Sequence, residues 1–519
     1  MSTFHLPEEL KQIWVSNGLP ESFLARLKLE GASDTAVNSS FRIGDAAQVS
    51  IGLSGLSASY LYYLQTGEDQ LVNVDARHAV LSFHSEAWYT INGSAPKTDS
   101  WGSIAGLYPT KDLGWVRIHT NFPHHRSGIL SILAIPDPPD NPATRSAVEE
   151  AILQRKACDF EEECAEKGFC VSAFRSLDEW EKHPQSMSLQ GCPPVQVIKI
   201  RDGQARSSSN RRRPLDGIKI LDLSRVLAGP IAGRTLAAHG AEVLLVTSPS
   251  LPSLPALDVE TSLGKRTVQL DLKDPLATDK LRELLKGADV FVQAYRPGGL
   301  EAKGIGVDDI LTLKAGTERG VVCANLRAWG WDGPWKDRGG FDSLVQTATG
   351  FNADEGLAYQ KLLHPNIRYS RPLPLQALDH TTAYFLTFGI NVALCRRFME
   401  GGSYEVRVSL ASVGQWVPLL PRQAFELGKP LPKDRHDQEI KGLSVDWQRR
   451  RGLGSKDDMD GRRDVMRALR HDALLEKTPV REGIIDPEKG EIDWGAPFRL
   501  DADNYEAVDE YWKGEGLSG

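Results

Sequence analysis

The strongest constraint on the fold is a change of period after residue 214. Four short apolar, β-branched runs follow one another: IKILDL (218–223), EVLLVT (242–247), VFVQAY (290–295) and VVCANLRAW (321–329). Helix-like segments, PIAGRTLAAHG, PLATDKLRELLKGA and ADEGLAYQKL, alternate with most of them. Such alternation predicts a parallel sheet with helices on both faces. Ligands of these sheets lie beyond the carboxyl ends of the strands, so the turns after each run are the places to search.

A second pattern closes this region. A proline-broken lead-in, RPLPLQAL, stops at one acid, Asp379. Behind it, Thr381 to Phe398 is apolar with helical spacing, placing Leu386, Ile390, Ala393 and Leu394 on one face. Gly401 and Gly402 end the pattern, and Tyr404 to Leu410 alternates as a strand does. Asp379 is thus expected at or just before a helix N-terminus, where free N–H groups and the dipole stabilise a carboxylate. Two roles fit that position: an N-cap, or a carboxylate held ionised as a nucleophile.

Before residue 200 the elements are less regular. Residues 1–35 read as amphipathic helices, and Gly44 to Tyr63 as a buried helix. A strand is expected over 114–122, a helix from Pro123, one long charged helix over 143–168, and a strand over 194–200. RDGQARSSSNRRR (201–213) is polar, basic and Ser-rich, as linkers are. Past residue 422 the chain turns polar and reads as a surface wrap ending in NYEAVDEYW.

Composition excludes several classes. A formal net charge of −8 gives no reason to expect nucleic acid or an anionic membrane as partner. No apolar run is long enough to span a bilayer, and the N-terminus has no apolar leader core, so the cytosol is the expected compartment. Six scattered cysteines read as reduced thiols. His119, His124 and His125 have no carboxylate at ligand spacing, so no metal site is expected. A Gly-x-Ser-x-Gly nucleophile elbow is absent.

The first βα turn, LDLSRVLAGPIAGRTLAAHG, is not GxGxxG, so the dinucleotide fingerprint fails. Gly229 and Gly233 permit close backbone approach, and Pro230 suits a first helical turn. A helix N-terminus there is suited to phosphate. Lys265, Arg266 and Arg296 stand at expected strand edges, in GKRTVQLDLKDP and QAYRPGGL. With that turn they outline an electropositive mouth for a phosphorylated ligand.

These motifs, with WGWDGPWKDRGGFDSLVQTATG and the LDH at 378–380, follow one another as in family III CoA-transferases, the CaiB–BaiF group, which residues 215–415 resemble closely. Residues 105–200 resemble the family's smaller domain, here placed first, the reverse of the usual order. The resemblance implies an α/β fold: a Rossmann-like parallel sheet domain flanked by helices, plus a smaller α+β domain. The expected layout is a helical arm (1–43), a smaller domain (44–200), a linker (201–214), the nucleotide-fold domain (215–422) and a wrapping tail (423–519). It further implies that Asp379 attacks an acyl-CoA thioester and carries CoA to a carboxylic acid through anhydride and aspartyl-CoA intermediates. Val226, Leu227, Ala228 and Gly229 are then expected along the CoA channel, and Lys265 and Arg266 on the nucleotide phosphates with Arg296 nearby. Coenzyme A is the substrate carrier, no cofactor is permanently bound, and a homodimer is the assembly implied. Asp379 and the 226–233 turn must then share one opening. A racemase branch of the family uses a GHD histidine, where this chain has Phe341, which carries no proton. A CoA-binding member without catalysis is the third reading.

Overall fold

The computed structural model describes residues 6–96, 101–205, 211–315, 320–363, 370–424, 428–449 and 464–480. The acidic, aromatic 504–512 stretch lies outside them. A seven-stranded sheet organises the fold. In chain order its strands are β1 (Val195–Arg201), β2 (Lys219–Leu223), β3 (Glu242–Thr247), β4 (Arg266–Gln269), β5 (Val290–Gln293), β6 (Val322–Arg327) and β7 (Ser403–Ser409). They lie side by side as β4-β3-β2-β5-β6-β7-β1. Each neighbouring pair is parallel except β7 with β1. The inner strands are buried along nearly their whole length, which is why their sequences are unbroken apolar runs instead of alternating ones. From β2 the chain steps outward to β4, then returns to β5 and steps the other way. The reversal leaves a crevice above the carboxyl ends of β2 and β5.

Two 24-residue helices form the core beside the sheet: α1 (Ile43–Thr66) and α4 (Ala377–Glu400). Both are buried on nearly every side over most of their length, and they pack on each other. Asn391 of α4 donates to the Ser54 carbonyl (3.2 Å) and Ser57 Oγ (3.1 Å) of α1. Every residue of α4 from Ala377 to Cys395 is buried except Asp379. Helix α2 (Ala228–Ala238) packs against α4 and opens the first βα unit.

A smaller unit has its own core, around Ile118, Ile129, Val148, Ile152 and Phe160. Its antiparallel strands are Gly106–Pro109, Trp115–Ile118 and Val171–Ala173. The 44–200 segment is not one unit, however: α1 belongs to the main core, and β1 is the edge strand of the main sheet. The charged stretch over 143–168 forms two helices, Arg145–Ile152 and Ala157–Glu166. They part at Arg155, whose carbonyl accepts from Lys111 N–H (2.8 Å) and whose guanidinium reaches the Ile132 carbonyl (2.8 Å). In the N-terminal arm Leu27–Glu30 is a strand, not helix, because it pairs in parallel with Val72–Asp75. The tail is partly core: Trp447, Met466 and Asp472 are buried, and Asp464–Leu469 pairs with Thr90–Ile91.

The first βα turn is held from below by a buried ion pair. Lys265 is fully buried, and its ammonium donates to Asp222 Oδ2 (2.9 Å) and to the Pro230 carbonyl (2.7 Å). Gly233 leaves the room: a Cβ there would lie 2.3 Å from Asp222 Oδ2 and 2.8 Å from Lys265 Nζ. Lys265 is therefore a strut under α2 and faces no phosphate. Replacing it strands the Asp222 carboxylate in the core. We expect Lys265→Met to cost about 3–5 kcal/mol in urea unfolding, with part regained in the Asp222→Asn, Lys265→Met double variant. A single variant as stable as wild type contradicts this assignment.

Candidate active site

The crevice between β2 and β5 opens into a cleft with about 940 Å³ of empty volume. One wall is the turn after β2. Val226 there has φ +73°, a left-handed conformation that β-branched residues seldom adopt. The turn it makes starts α2 at Ala228, with Leu227 as N-cap. Gly229 lets this turn press against Ser224, whose Cβ would be 2.3 Å from a Cβ at 229. Val226, Leu227, Ala228 and Gly229 all line the cleft. The opposite wall is Ala294–Pro297 after β5, and the ends of β6 and β7 contribute Arg327, Ala328 and Leu410. The smaller unit covers it with Phe122, His124, His125 and Cys170.

Asp379 lines this same cleft. It is the third residue of α4; Gln376 is the N-cap and makes no side-chain cap bond. The capping role is therefore ruled out. The backbone N–H of Asp379 donates to Asp342 Oδ2 (2.9 Å), at the start of helix α3 (Asp342–Ala348). Two carboxyl groups thus meet at the first turns of two helices. Burial, then the Asp342 and Glu86 charges, push the Asp379 carboxyl well above the usual range. Burial also raises Asp342 to about 7, against hydrogen bonds from the Asp379 and Leu378 N–H groups and from Gln346. The expectation that the helix dipole keeps Asp379 ionised fails on magnitude. A helix N-terminus contributes about 0.3–1 kcal/mol, while one pKa unit is already about 1.4 kcal/mol.

Glu86 supplies the third charge. Burial opposes its ionisation, but His84 (3.1 Å) and His380 (3.2 Å) hold it below the ordinary range. His380 is fully buried and stacks on Phe83, ring centres 5.3 Å apart. Phe341, the N-cap of α3, stacks on His119 at 3.7 Å and borders the cleft. Burial pushes His119 and His125 down to about 3, so both imidazoles are neutral.

Four guanidinium groups line the cleft: Arg225, Arg296, Arg327 and Arg338. Arg296 ties the sheet to the smaller unit, donating to the Gly168 carbonyl (2.6 Å) and to His125 Nε2 (3.1 Å). Arg266 is exposed at the amino end of β4, about 10 Å along the strand from Gln269. Neither it nor Lys265 borders the cleft. A second cavity, about 900 Å³, adjoins at Phe122, Arg225 and Val226 and lies past the ends of β3 and β4. Its lining includes Thr247, Ser248, Ser253, Ser262 and Asp258, the last raised by burial to about 6. Among the described residues no group of three His, Cys, Asp or Glu side chains is placed to hold a metal ion, and no helix is long and apolar enough to cross a membrane. Asp342 escaped the sequence reading although GGFDSLVQ carries its signal, an acid with Gln four residues on. Glu86 has no local signal at all.

The acid pair has a consequence for stability. Each carboxyl has a folded-state pKa above its unfolded value, so its contribution is present below about pH 4 and lost as pH rises through the folded value. Asp379→Asn removes that loss. In calorimetry its Tm should exceed that of wild type, by more at pH 8 than at pH 5. A gap that is constant or narrows with pH contradicts a desolvated pair.

Comparison with known proteins follows the same outline. Residues 21–199 and 215–426 match the family model described as CoA-transferase family III. An acyl-CoA transferase of Gibberella moniliformis is 29% identical over 392 residues, covering 70% of this chain and 68% of its own. The acetyl-coenzyme A transferase nodX of Hypoxylon pulicicidum is 33% identical over 211 residues, 40% of this chain and 34% of its own. The human succinyl-CoA:glutarate CoA-transferase is 33% identical over 222 residues, 40% and 48%. The crystal structure of Rv3272 from M. tuberculosis shares 29% identity over 41% of this chain and 57% of that one, with a TM-score of 0.35. The chain spans about a third of the nodX protein and half of the human one. With its two matched stretches covering most of its length, the chain belongs to CoA-transferase family III.

Proposed function

We propose that this protein transfers coenzyme A from an acyl-CoA to a free carboxylic acid, with Asp379 as the nucleophile. The observation that carries this reading is that Asp379, the one uncovered residue between Ala377 and Cys395 of α4, shares a cleft with the turn at 226–229. Relatives named as acyl-CoA and succinyl-CoA transferases support the reaction class.

In this reading pantetheine runs along Val226–Gly229, with the nucleotide in the second cavity beside Arg225. Asp379 attacks the thioester carbonyl, forming a mixed anhydride and expelling CoA thiolate. The thiolate attacks the Asp379 carbonyl, giving an aspartyl-CoA thioester and releasing the donor acid. The acceptor carboxylate attacks that thioester, again forming an anhydride and free thiolate. The thiolate then takes the new acyl group, and Asp379 is restored. Each step exchanges one acyl bond for another of similar reactivity, which is what covalent catalysis achieves. Burial contributes as well. Acylation removes the charge from a carboxylate that its surroundings disfavour, so the cleft stabilises the acylated states relative to the ionised one.

The racemase reading finds no support beside this one. Phe341 carries no proton, and His119 and His125, held near 3, are weak bases for an α-proton.

The test is CoA exchange across a panel of acyl-CoA donors and acids. Asp379→Ala should lose at least about a thousandfold in kcat while keeping its circular dichroism. For wild type, kcat should climb as pH rises from 6 to 8, because only ionised Asp379 attacks. Normal turnover by Asp379→Ala, or a rate falling with pH over that range, removes the reading.

A further inference from the structure

Helices α1 and α4 are one element used twice. Both have 24 residues, and both carry an aspartate at the third position, Asp45 and Asp379. Both start from a residue of the same conformation, Arg42 (φ −77°, ψ 59°) and Gln376 (φ −76°, ψ 58°). Each stops at a glycine of positive φ, Gly67 or Gly401. A strand follows, then a seven-residue helix, Ala76–Ser82 or Leu410–Trp416, capped by the strand's last residue, Asp75 or Ser409. All these counterparts are 334 residues apart, as are Ser57 and Asn391. Packing repeats too. An added Cβ on Gly55 would lie 3.0 Å from Val72, and one on its counterpart Gly389 would lie 2.5 Å from Val406.

The copies meet as the halves of a two-fold pair do, counterpart against counterpart and exchange for exchange. Ser57 accepts from its own counterpart, Asn391, at 3.1 Å. Glu86 of the first copy crosses to His380 at the start of α4 (3.2 Å), and Arg422 of the second crosses back to the Ser40 carbonyl before α1 (3.0 Å). The two aspartates differ in surroundings. Arg42 pairs with the Asp45 carboxylate, Ser33 Oγ donates to it, and the Ser33 carbonyl would lie 1.9 Å from a Cβ on Gly44. Asp45 therefore lines neither cavity, whereas Asp379 meets the cleft and the acids Asp342 and Glu86.

We propose that the first copy is a retired catalytic unit kept to complete the second, and that Glu86 is its contribution, a positioning residue that fixes His380 and the first turn of α4 from across the axis. The Glu86 side chain is 8% exposed, and His84 grips it from the other side at 3.1 Å. Arg234, Glu260 and Asp342 are the further charged groups that face it. Its negative charge opposes that of Asp379, which acylation removes. The proposal rests on the CoA-transfer reading above and deepens it.

The experiment follows CoA exchange against pH in wild type, Glu86→Gln, Glu86→Asp and Asp45→Asn, with hydroxylamine trapping during wild-type turnover. Calorimetry confirms that each variant folds. Glu86→Gln keeps a partner for both imidazoles but not the charge. Its kcat should rise at a pH about one unit below that of wild type, to a plateau about three- to tenfold lower. Glu86→Asp keeps the charge and should move the midpoint less than about half as far. Asp45→Asn should keep the wild-type midpoint and stay within about twofold in kcat, and the trapped adduct should lie on Asp379 alone. An unmoved midpoint in Glu86→Gln, an adduct on Asp45, or a loss in Asp45→Asn as large as that of Asp379→Ala overturns the proposal. A wild type that exchanges CoA with no acid rejects the transfer reading itself, and calorimetry then decides on Glu86. Asp379→Asn should raise Tm at pH 8 less in the Glu86→Gln background than in wild type, and an equal rise overturns the role of Glu86.

Discussion

The structure turns on placing one carboxyl group where water is scarce and like charge is close. From Ala377 to Cys395 helix α4 is sealed by α1, α2 and the sheet, and within that span it opens only at Asp379. There the Asp342 carboxylate accepts the Asp379 N–H, and Glu86 adds a further negative charge. The favourable dipole of the helix is too weak to offset these terms. Such an arrangement survives because its surroundings are fixed by other contacts. Gln346 and two backbone N–H groups hold Asp342, and two imidazoles hold Glu86. Under the proposed reading, stability given up at this point is what a reactive carboxylate requires.

The rest of the cleft follows from sheet order. Reversal between β2 and β5 makes the crevice, and the ends of the other strands extend it in two directions. Toward β3 and β4 it is rich in hydroxyl groups; toward β6 and β7 it presents Arg327 and Leu410. The smaller unit closes the top. Arg296 binds it through the Gly168 carbonyl and His125, and Arg117 donates to Thr347 Oγ1 at 2.8 Å. Two cores therefore meet over one site, and loss of either removes a wall.

Much of the sheet was legible because its strands are buried on both faces, which leaves short β-branched runs separated by helical spacing. Asp379 was legible for a related reason: a single acid ahead of an otherwise apolar helix. What escaped is non-local. Lys265 beside Gly264 looks the same in sequence whether it meets a phosphate or a buried acid, and its partner Asp222 lies 43 residues upstream. The Glu86–His380 contact spans 294 residues. β1 joined the main sheet, against expectation, because its antiparallel partner β7 comes some two hundred residues later. Local pattern names elements well and their partners poorly.

The central claim is that Asp379 is acylated in every cycle, and oxygen exchange tests it most directly. Wild-type protein is given an acyl-CoA and an acceptor acid labelled with ¹⁸O in its carboxylate, then digested and weighed by mass spectrometry. An anhydride route leaves one acceptor oxygen on Asp379 in each turnover and passes one of its own to the donor acid, so the peptide carrying residue 379 should gain about 2 Da in a single turnover and approach about 4 Da over many. Turnover with the label confined to the product thioester and the free acid, and none on that peptide, would contradict the account.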